Sequence, residues 1–271
     1  MPQDNGHTNR DIWLKHAHAR HALSVVLPAL ERGGIEVVLV KGVALEATLY
    51  GDTAKRPISD VDLRVQRTQF AALCTLVERE RWRVQSRYDV YGSVCVDIEG
   101  MPVDIESHIG PPHLCRLGVR DLLAHGARTA IGQTYAMIPD VVDHALLVVV
   151  NLFKDKITTA MPWALGDLAM LVGHPNFESS LFVERAQRYR MTLMCKLVLE
   201  QLAARSQAPE LLQLATRLSP PPWYNSYAQA YVQTSQAPHR LPARLIARLG
   251  SDAAVDWPKA LWWAARLTFE T

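Results

Sequence analysis

The stretch from Val37 to Val65 limits what this 271-residue chain can fold into more than any other. It runs from the apolar quartet Val37-Val38-Leu39-Val40 through Lys41-Gly42 into Val43-Ala44-Leu45-Glu46-Ala47-Thr48-Leu49-Tyr50. A polar turn through Gly51 and Asp52 then leads to Arg56-Pro57-Ile58-Ser59-Asp60-Val61-Asp62-Leu63-Arg64-Val65. The pattern predicts a strand, a tight turn, a short helix and a second strand. In that second strand a period of two puts Asp60, Asp62 and Arg64 on one face and Val61, Leu63 and Val65 on the other. The apolar face suits a core and the charged face a site. Alternate residues on a strand lie about 6.6 Å apart, so two carboxylates at this spacing can converge on one or two hard cations, and Mg2+ prefers such oxygen ligands. An isolated Asp-x-Asp more often marks a solvent-facing edge strand; the order of the surrounding elements is what favours a site.

Gly42 follows an apolar strand and opens a helix, a place where a residue without a Cβ lets backbone approach a phosphate. Lys41 beside it supplies a point charge. A strand, a Gly turn, a helix and a strand bearing Asp-x-Asp resembles the core of the DNA polymerase beta-like nucleotidyltransferase superfamily. In detail the chain is similar to a bacterial family of uncharacterised nucleotidyltransferases, through Lys41-Gly42, Tyr50, Arg56 and Ser59-Asp60-Val61-Asp62-Leu63. Val103-Asp104-Ile105 matches the family's third carboxylate strand and Asp167-Leu168-Ala169 a later helix, so the resemblance spans roughly Val37 to Glu200. The chain departs from the wider superfamily at Val43, where Ser or Gly is usual, and part of that role passes to Lys41. It departs again at Glu106, where the family often has His, with His108 two residues on.

The resemblance implies an α/β (α+β) fold, with a small mixed sheet flanked by helices and a mostly helical C-terminal half. It implies a metal-dependent transfer of a nucleoside monophosphate from a nucleoside triphosphate, with ATP expected, to an acceptor hydroxyl or phosphate. Asp60, Asp62 and Asp104 are the expected catalytic residues and ligands of two Mg2+ ions. Lys41, Gly42, Arg56, Ser59 and Lys154 are the expected nucleotide contacts. A small-molecule or peptide acceptor is preferred to RNA. Three alternatives stay open: a kinase-like phosphotransferase, a toxin-like enzyme that modifies tRNA, and a non-catalytic nucleotide-binding module.

A formal charge of +2 supplies no broad nucleic-acid-binding surface. Hydrophobic residues at 49% and charged residues at 21% place the chain among folded globular proteins. Cys74, Cys95, Cys115 and Cys195 show no metal or disulfide spacing and read as reduced thiols in apolar surroundings. Together with the polar, His-rich start, this predicts a cytoplasmic protein. The longest apolar stretch, Ala145 to Leu152, is too short to cross a membrane.

The expected domains are residues 1–118, the nucleotidyltransferase core with an N-terminal helix, and 119–271, a helical domain. Residues 1–9 read as a disordered tail, and a helix is expected from Asp11 to the Gly33-Gly34 stop. Of His16, His18 and His21 on that helix only His18 and His21 are neighbours, and an exposed histidine face is expected rather than a metal cluster. Thr68 is expected to cap a helix reaching Trp82 with Phe70, Leu73, Leu76 and Val77 buried. Segments Ser93–Glu99 and Pro102–His108 read as a hairpin joined at Gly100. Its polar face carries Asp104, Glu106 and His108, with Asp97 on the partner strand the competitor for the third carboxylate. His108 and His113 flank Gly110-Pro111-Pro112 as loop histidines. From Asp121 the chain reads as helical, with helices opened by Pro139-Asp140 and by Pro162, and a third from Arg188 to Arg205. Lys154 and Lys156 after the first of these either meet phosphate or favour the helix C-terminus. Trp257, Trp262 and Trp263 either stack on bases or pack a terminal helix.

Overall fold

The computed structural model describes residues 9–51, 53–155, 162–206, 208–235, 245–246 and 248–269. The polar start up to residue 8, Asp52 and Lys156 lie outside them. The chain forms two compact units, residues 1–108 with 118–140, and residues 109–117 with 141–271.

The first unit begins with α1 (Asn9–Arg32), which ends at Gly33-Gly34 as its glycine stop predicts, Gly34 taking a φ of +65°. Then come β1 (Val37–Val40), α2 (Lys41–Leu49), β2 (Val61–Val65), α3 (Phe70–Arg79), β3 (Arg83–Tyr88), β4 (Ser93–Ile98), β5 (Met101–Glu106), α4 (Val119–His125), β6 (Ala127–Ile131) and β7 (Thr134–Ile138). The strands form one mixed sheet in the order β3-β4-β5-β2-β1-β7-β6. The β2–β5 and β1–β7 pairs are parallel and the others antiparallel.

Strand alternation decides which side of the sheet becomes core. Val61, Leu63 and Val65 of β2, Met101, Val103 and Ile105 of β5, and Val94, Val96 and Ile98 of β4 join one hydrophobic cluster. It takes Leu23, Val26 and Leu30 from α1 and Phe70, Leu73, Leu76 and Val77 from α3. Burying each such side chain contributes about 1.5–3 kcal/mol. Burial therefore fixes the register, since a one-residue slip of β2 would turn Asp62 and Arg64 into this core. The β4–β5 hairpin closes through Glu99 and Gly100 at φ +50° and +90°, the two-residue left-handed turn that suits the twist of paired strands.

Several local expectations need correction. Thr68 does not cap α3; it lies in a 3-10 turn, Arg67–Gln69, and α3 has no side-chain cap. That helix ends at Arg79 and not at Trp82, and Arg81 at φ +56° turns the chain into the edge strand β3. The chain is not helical from Asp121 onward. After α4, Ala127–Ile131 and Thr134–Ile138 form a hairpin about Gly132 at φ +60°, and β7 pairs in parallel with β1. Five alternating residues on each side of a Gly-Gln turn carried that signal.

The second unit is helical: α5 (Val141–Lys154), α6 (Pro162–Val172), α7 (Ser179–Arg188), α8 (Thr192–Ser206), α9 (Pro209–Thr216), α10 (Tyr224–Ser235) and α11 (Trp257–Phe269). The helix expected from Arg188 starts at Thr192, because Arg190 adopts φ +57° and breaks it from α7. Asp252 caps α8 from far along the chain, accepting the Thr192 and Leu193 N–H groups at 2.7 and 2.6 Å. A buried ion pair, Arg185 Nη1 to Asp143 Oδ1 at 2.9 Å, ties α7 to α5. Trp257 packs edge-on against Trp223, whereas Trp262 is 55% exposed and meets Trp263.

Candidate active site

Once the apolar residues of β2 and β5 face the core, their alternates share the opposite side of the sheet. The parallel register pairs Asp62 with Asp104 and Arg64 with Glu106, giving two charged rows on adjacent strands. Asp97, the competing carboxylate, lies on β4 opposite Pro102 and accepts hydrogen bonds from Gly100 N at 2.9 Å and Gln85 Nε2 at 3.0 Å. The structure therefore brings Asp104 and not Asp97 beside Asp62.

Asp62 is only 3% exposed. It lies opposite Val40 at the end of β1, where the chain turns directly into α2. Lys41 makes that turn and returns its ammonium to the strand, with Nζ donating to Asp62 Oδ1 at 2.5 Å. The residue in the left-handed region here is Lys41, at φ +54°, not Gly42. Gly42 is needed for packing: a Cβ there would meet Ile58 Cγ2 at 3.0 Å and Arg56 Nη1 at 3.3 Å. Gly42 thus places the start of α2 against the loop that carries Arg56. Val40 gives α2 no side-chain cap.

That loop is held by two residues whose role the sequence pattern did not reveal. Glu46 of α2 is completely buried, and its carboxylate accepts the backbone N–H groups of Lys55 and Arg56, each at 3.0 Å. His16 of α1 donates from Nε2 to the Arg56 carbonyl at 2.8 Å. Arg56 is thereby fixed at both ends of its own backbone. An acidic residue amid the apolar run of α2 was the available signal for Glu46. His16 corrects the expected exposed histidine face, since it is 2% exposed while His18 and His21 face solvent.

Asp60 stands one residue before β2 rather than within it. Ser59 Oγ donates to Asp60 Oδ1 at 2.9 Å. Burial and the neighbouring Asp62 charge push the Asp60 carboxyl up, against the opposing effects of Ser59, Lys41 and Arg56. Asp104 is pushed further, to about 6, by burial first and then by the charges of Glu106 and Asp62; Arg64 and Lys41 pull it back. Arg64, 4% exposed, gives one Nη to Glu106 Oε2 at 2.7 Å and the other to the Leu63 carbonyl at 3.0 Å. Cys95 lies opposite Asp104 across β4–β5. Its thiol is pushed up by burial and by the carboxylates, so it belongs to this polar side and not to the apolar surroundings expected of it.

Of the remaining expected residues, Lys154 belongs to the second unit, at the end of α5, with Nζ 3.6 Å from Asp155 Oδ1. Asp167 is buried within α6 of the same unit. His108 meets the Tyr91 ring at 5.4 Å, and His113 is exposed at φ +64°. A cavity of about 460 Å³ lies at the Val37 end of β1, lined among others by Leu27, Glu31, Arg128 and Tyr135. The carboxylates are at the other end of that strand.

The donors on the polar side are hard oxygens, which suit Mg2+ better than soft metals. The Lys41 ammonium meets one of them, Asp62 Oδ1. As they stand, no three His, Cys, Asp or Glu groups among the described residues converge tightly enough to hold an ion.

A family described as uncharacterised nucleotidyltransferase matches residues 8–206. Among solved structures the chain is similar to the antibiotic-resistance factor ANT(2'')-Ia in solution, at 14% identity and a TM-score of 0.44 over 64% of this chain and 89% of that one. A crystal structure of ANT(2")-Ia in complex with adenylyl-2"-tobramycin gives 15% identity and a TM-score of 0.40 over 66% and 94%. A tRNA-processing enzyme in an apo form gives 13% and 0.31 over 93% and 78%. No curated protein matches the chain.

Proposed function

This chain belongs to the uncharacterised nucleotidyltransferase family, and we propose that it transfers a nucleoside monophosphate from a nucleoside triphosphate, preferably ATP, to a hydroxyl or phosphate on a small molecule or peptide, releasing pyrophosphate. The observation that carries this reading is the register of β2 and β5, which sets Asp62 beside Asp104 on a polar sheet face at the mouth of the Lys41-Gly42 turn.

In this proposal Asp60, Asp62 and Asp104 hold two Mg2+ ions. Bound there, the ions would supply positive charge to offset what builds up on the triphosphate during in-line displacement. Asp104 would help to activate the attacking hydroxyl, either as its general base or through the ion that it holds. Ser59 orients Asp60 by its hydrogen bond. The uncapped start of α2, with Gly42 in its first turn, receives the phosphates. Lys41 and Arg56 neutralise the departing pyrophosphate, and Glu46 and His16 hold Arg56 in place for that task.

The near-neutral charge favours a small acceptor over RNA. No helix among the described residues is long and apolar enough to cross a membrane. The cytoplasm is the proposed setting, in keeping with the four free thiols.

The test follows the phosphorus. The protein is incubated with a small-molecule extract and ATP labelled at either the α or the γ phosphate. Label from the α position in an acceptor, with release of pyrophosphate, is the expected result. Acceptor labelled only from the γ position would establish a phosphotransferase instead.

A further inference from the structure

The cation on Asp62 is part of the chain. From this we infer that Lys41 is the metal-free site's own counter-ion, and that it exchanges from Asp62 to the triphosphate when a divalent ion arrives with nucleotide. This rests on the proposed metal and triphosphate site and adds a coupling between the two ligands.

Two features of Lys41 bear on the exchange and on its test. The first is position: its ammonium lies 2.5 Å from Oδ1 of a carboxylate that is almost wholly buried. A divalent ion on Asp62 would stand beside a fixed positive charge within a few ångströms, in surroundings where water screens poorly. Ammonium and ion therefore compete for one carboxylate. The second is the backbone. Lys41 holds φ +54°, a region that glycine occupies freely and lysine does not. Lysine is strained there where glycine would not be, so a glycine at this position removes the charge without adding backbone strain.

Lysine is also the right cation for the task. It carries a compact charge on a flexible four-carbon stem and makes no bidentate fork that would lock it to Asp62. At 28% its side chain is far more exposed than the 3% of Asp62, so it can withdraw without unpacking the core. Without the ammonium, Asp62 would stand beside Asp104 in the β2–β5 register with the charge that Lys41 now brings to it gone. An incoming metal–triphosphate complex supplies both a replacement cation for the carboxylates and a new anion for the lysine. Metal alone supplies only the first. The lysine thus biases the site toward binding metal and nucleotide together.

The test is a titration of metal-free protein with Mn2+, followed by the magnetic resonance signal of the free ion, with and without a non-hydrolysable ATP analogue. Wild type, K41M, K41G and D62N are compared. K41G guards against misfolding, because its backbone conformation suits glycine. Without nucleotide, K41M and K41G are expected to bind Mn2+ at least about tenfold more tightly than wild type, the effect of removing one charge from hydrogen-bonding distance. The enhancement of Mn2+ affinity by nucleotide is expected to shrink in both. D62N is expected to bind weakly throughout. Equal or weaker Mn2+ binding by both Lys41 variants, with binding still lost in D62N, would overturn the exchange and leave the metal site standing. Absence of Mn2+ binding in wild type and Lys41 variants alike, or binding indifferent to D62N, would overturn the site and the exchange together.

Discussion

Asp62 and Asp104 lie side by side in the register of two parallel strands, and the Lys41 ammonium bonds to Asp62. Asp104 is left among burial, Glu106 and Asp62, which together raise its carboxyl to about 6. Two like residues on adjacent strands thus have unlike surroundings, Asp62 against the Lys41 ammonium and Asp104 beside the Glu106 carboxylate.

The pH dependence of activity follows from Asp104. Ionisation is needed for both of its proposed tasks, so kcat/KM is expected to rise with pH through a limb centred near 6 at limiting Mg2+. Added Mg2+ favours the charged carboxylate and moves that limb to lower pH. The check is a set of pH–rate profiles at two metal concentrations.

Stability without metal runs in the opposite direction. A carboxyl raised from 3.8 to about 6 binds more protons in the folded than in the unfolded state between those values. Stability therefore falls as pH rises through that window and stays lower above it. D104N removes the penalty. Above pH 6 the variant is expected to be more stable than wild type by on the order of 1 kcal/mol, with the gain vanishing below about pH 4. Its turnover is expected to drop about 10²–10⁴-fold. Denaturant titrations in metal-free buffer across this range, paired with turnover assays, measure both.

Glu46 supports the Arg56 loop from the interior of α2. E46Q faces one backbone N–H with an amide N–H of its own, leaving a buried donor without an acceptor. The expected loss is about 1–3 kcal/mol, with a raised KM for the triphosphate because Arg56 is no longer fixed. Urea midpoints and steady-state kinetics separate the two effects.

Arg64 and Glu106 form the second charged row. E106A leaves a buried guanidinium without its carboxylate and is expected to cost about 2 kcal/mol. R64M/E106M removes both charges and is expected to recover most of that. A double-mutant cycle by denaturation measures the coupling.

Backbone strain at Lys41 can be separated from its charge. K41G and K41A both lose the ion pair with Asp62, and only glycine is at ease at φ +54°. K41G is expected to be the more stable of the two by about 1 kcal/mol, read from the difference in their unfolding midpoints.

The chain's central unit was legible because a period-two pattern and core burial point the same way. Val61, Leu63 and Val65 must face inward, and that alone turns Asp62 and Arg64 outward. The same logic on β5 selects Asp104. What the pattern could not reveal depends on contacts between residues distant in sequence. His16 reaches the Arg56 carbonyl across 40 residues, and a helical period cannot announce such a partner. Glu46 lay within an apolar helix, but its role emerges only when the loop folds onto it. Lys41 is expected from sequence to face phosphate, and its bond to Asp62 and its left-handed backbone are visible only in the fold. The β6–β7 hairpin is hidden in the sequence for a different reason: its short alternating signal lies next to strongly helical segments.

The most direct measurement is calorimetric titration of wild type and D62N with non-hydrolysable ATP, GTP, CTP and UTP analogues, each with and without Mg2+. Binding of at least one triphosphate that requires Mg2+ and disappears in D62N is the predicted result. Failure of the folded wild type to bind any of them, or binding indifferent to both Mg2+ and Asp62, would contradict the proposed nucleotidyl transfer.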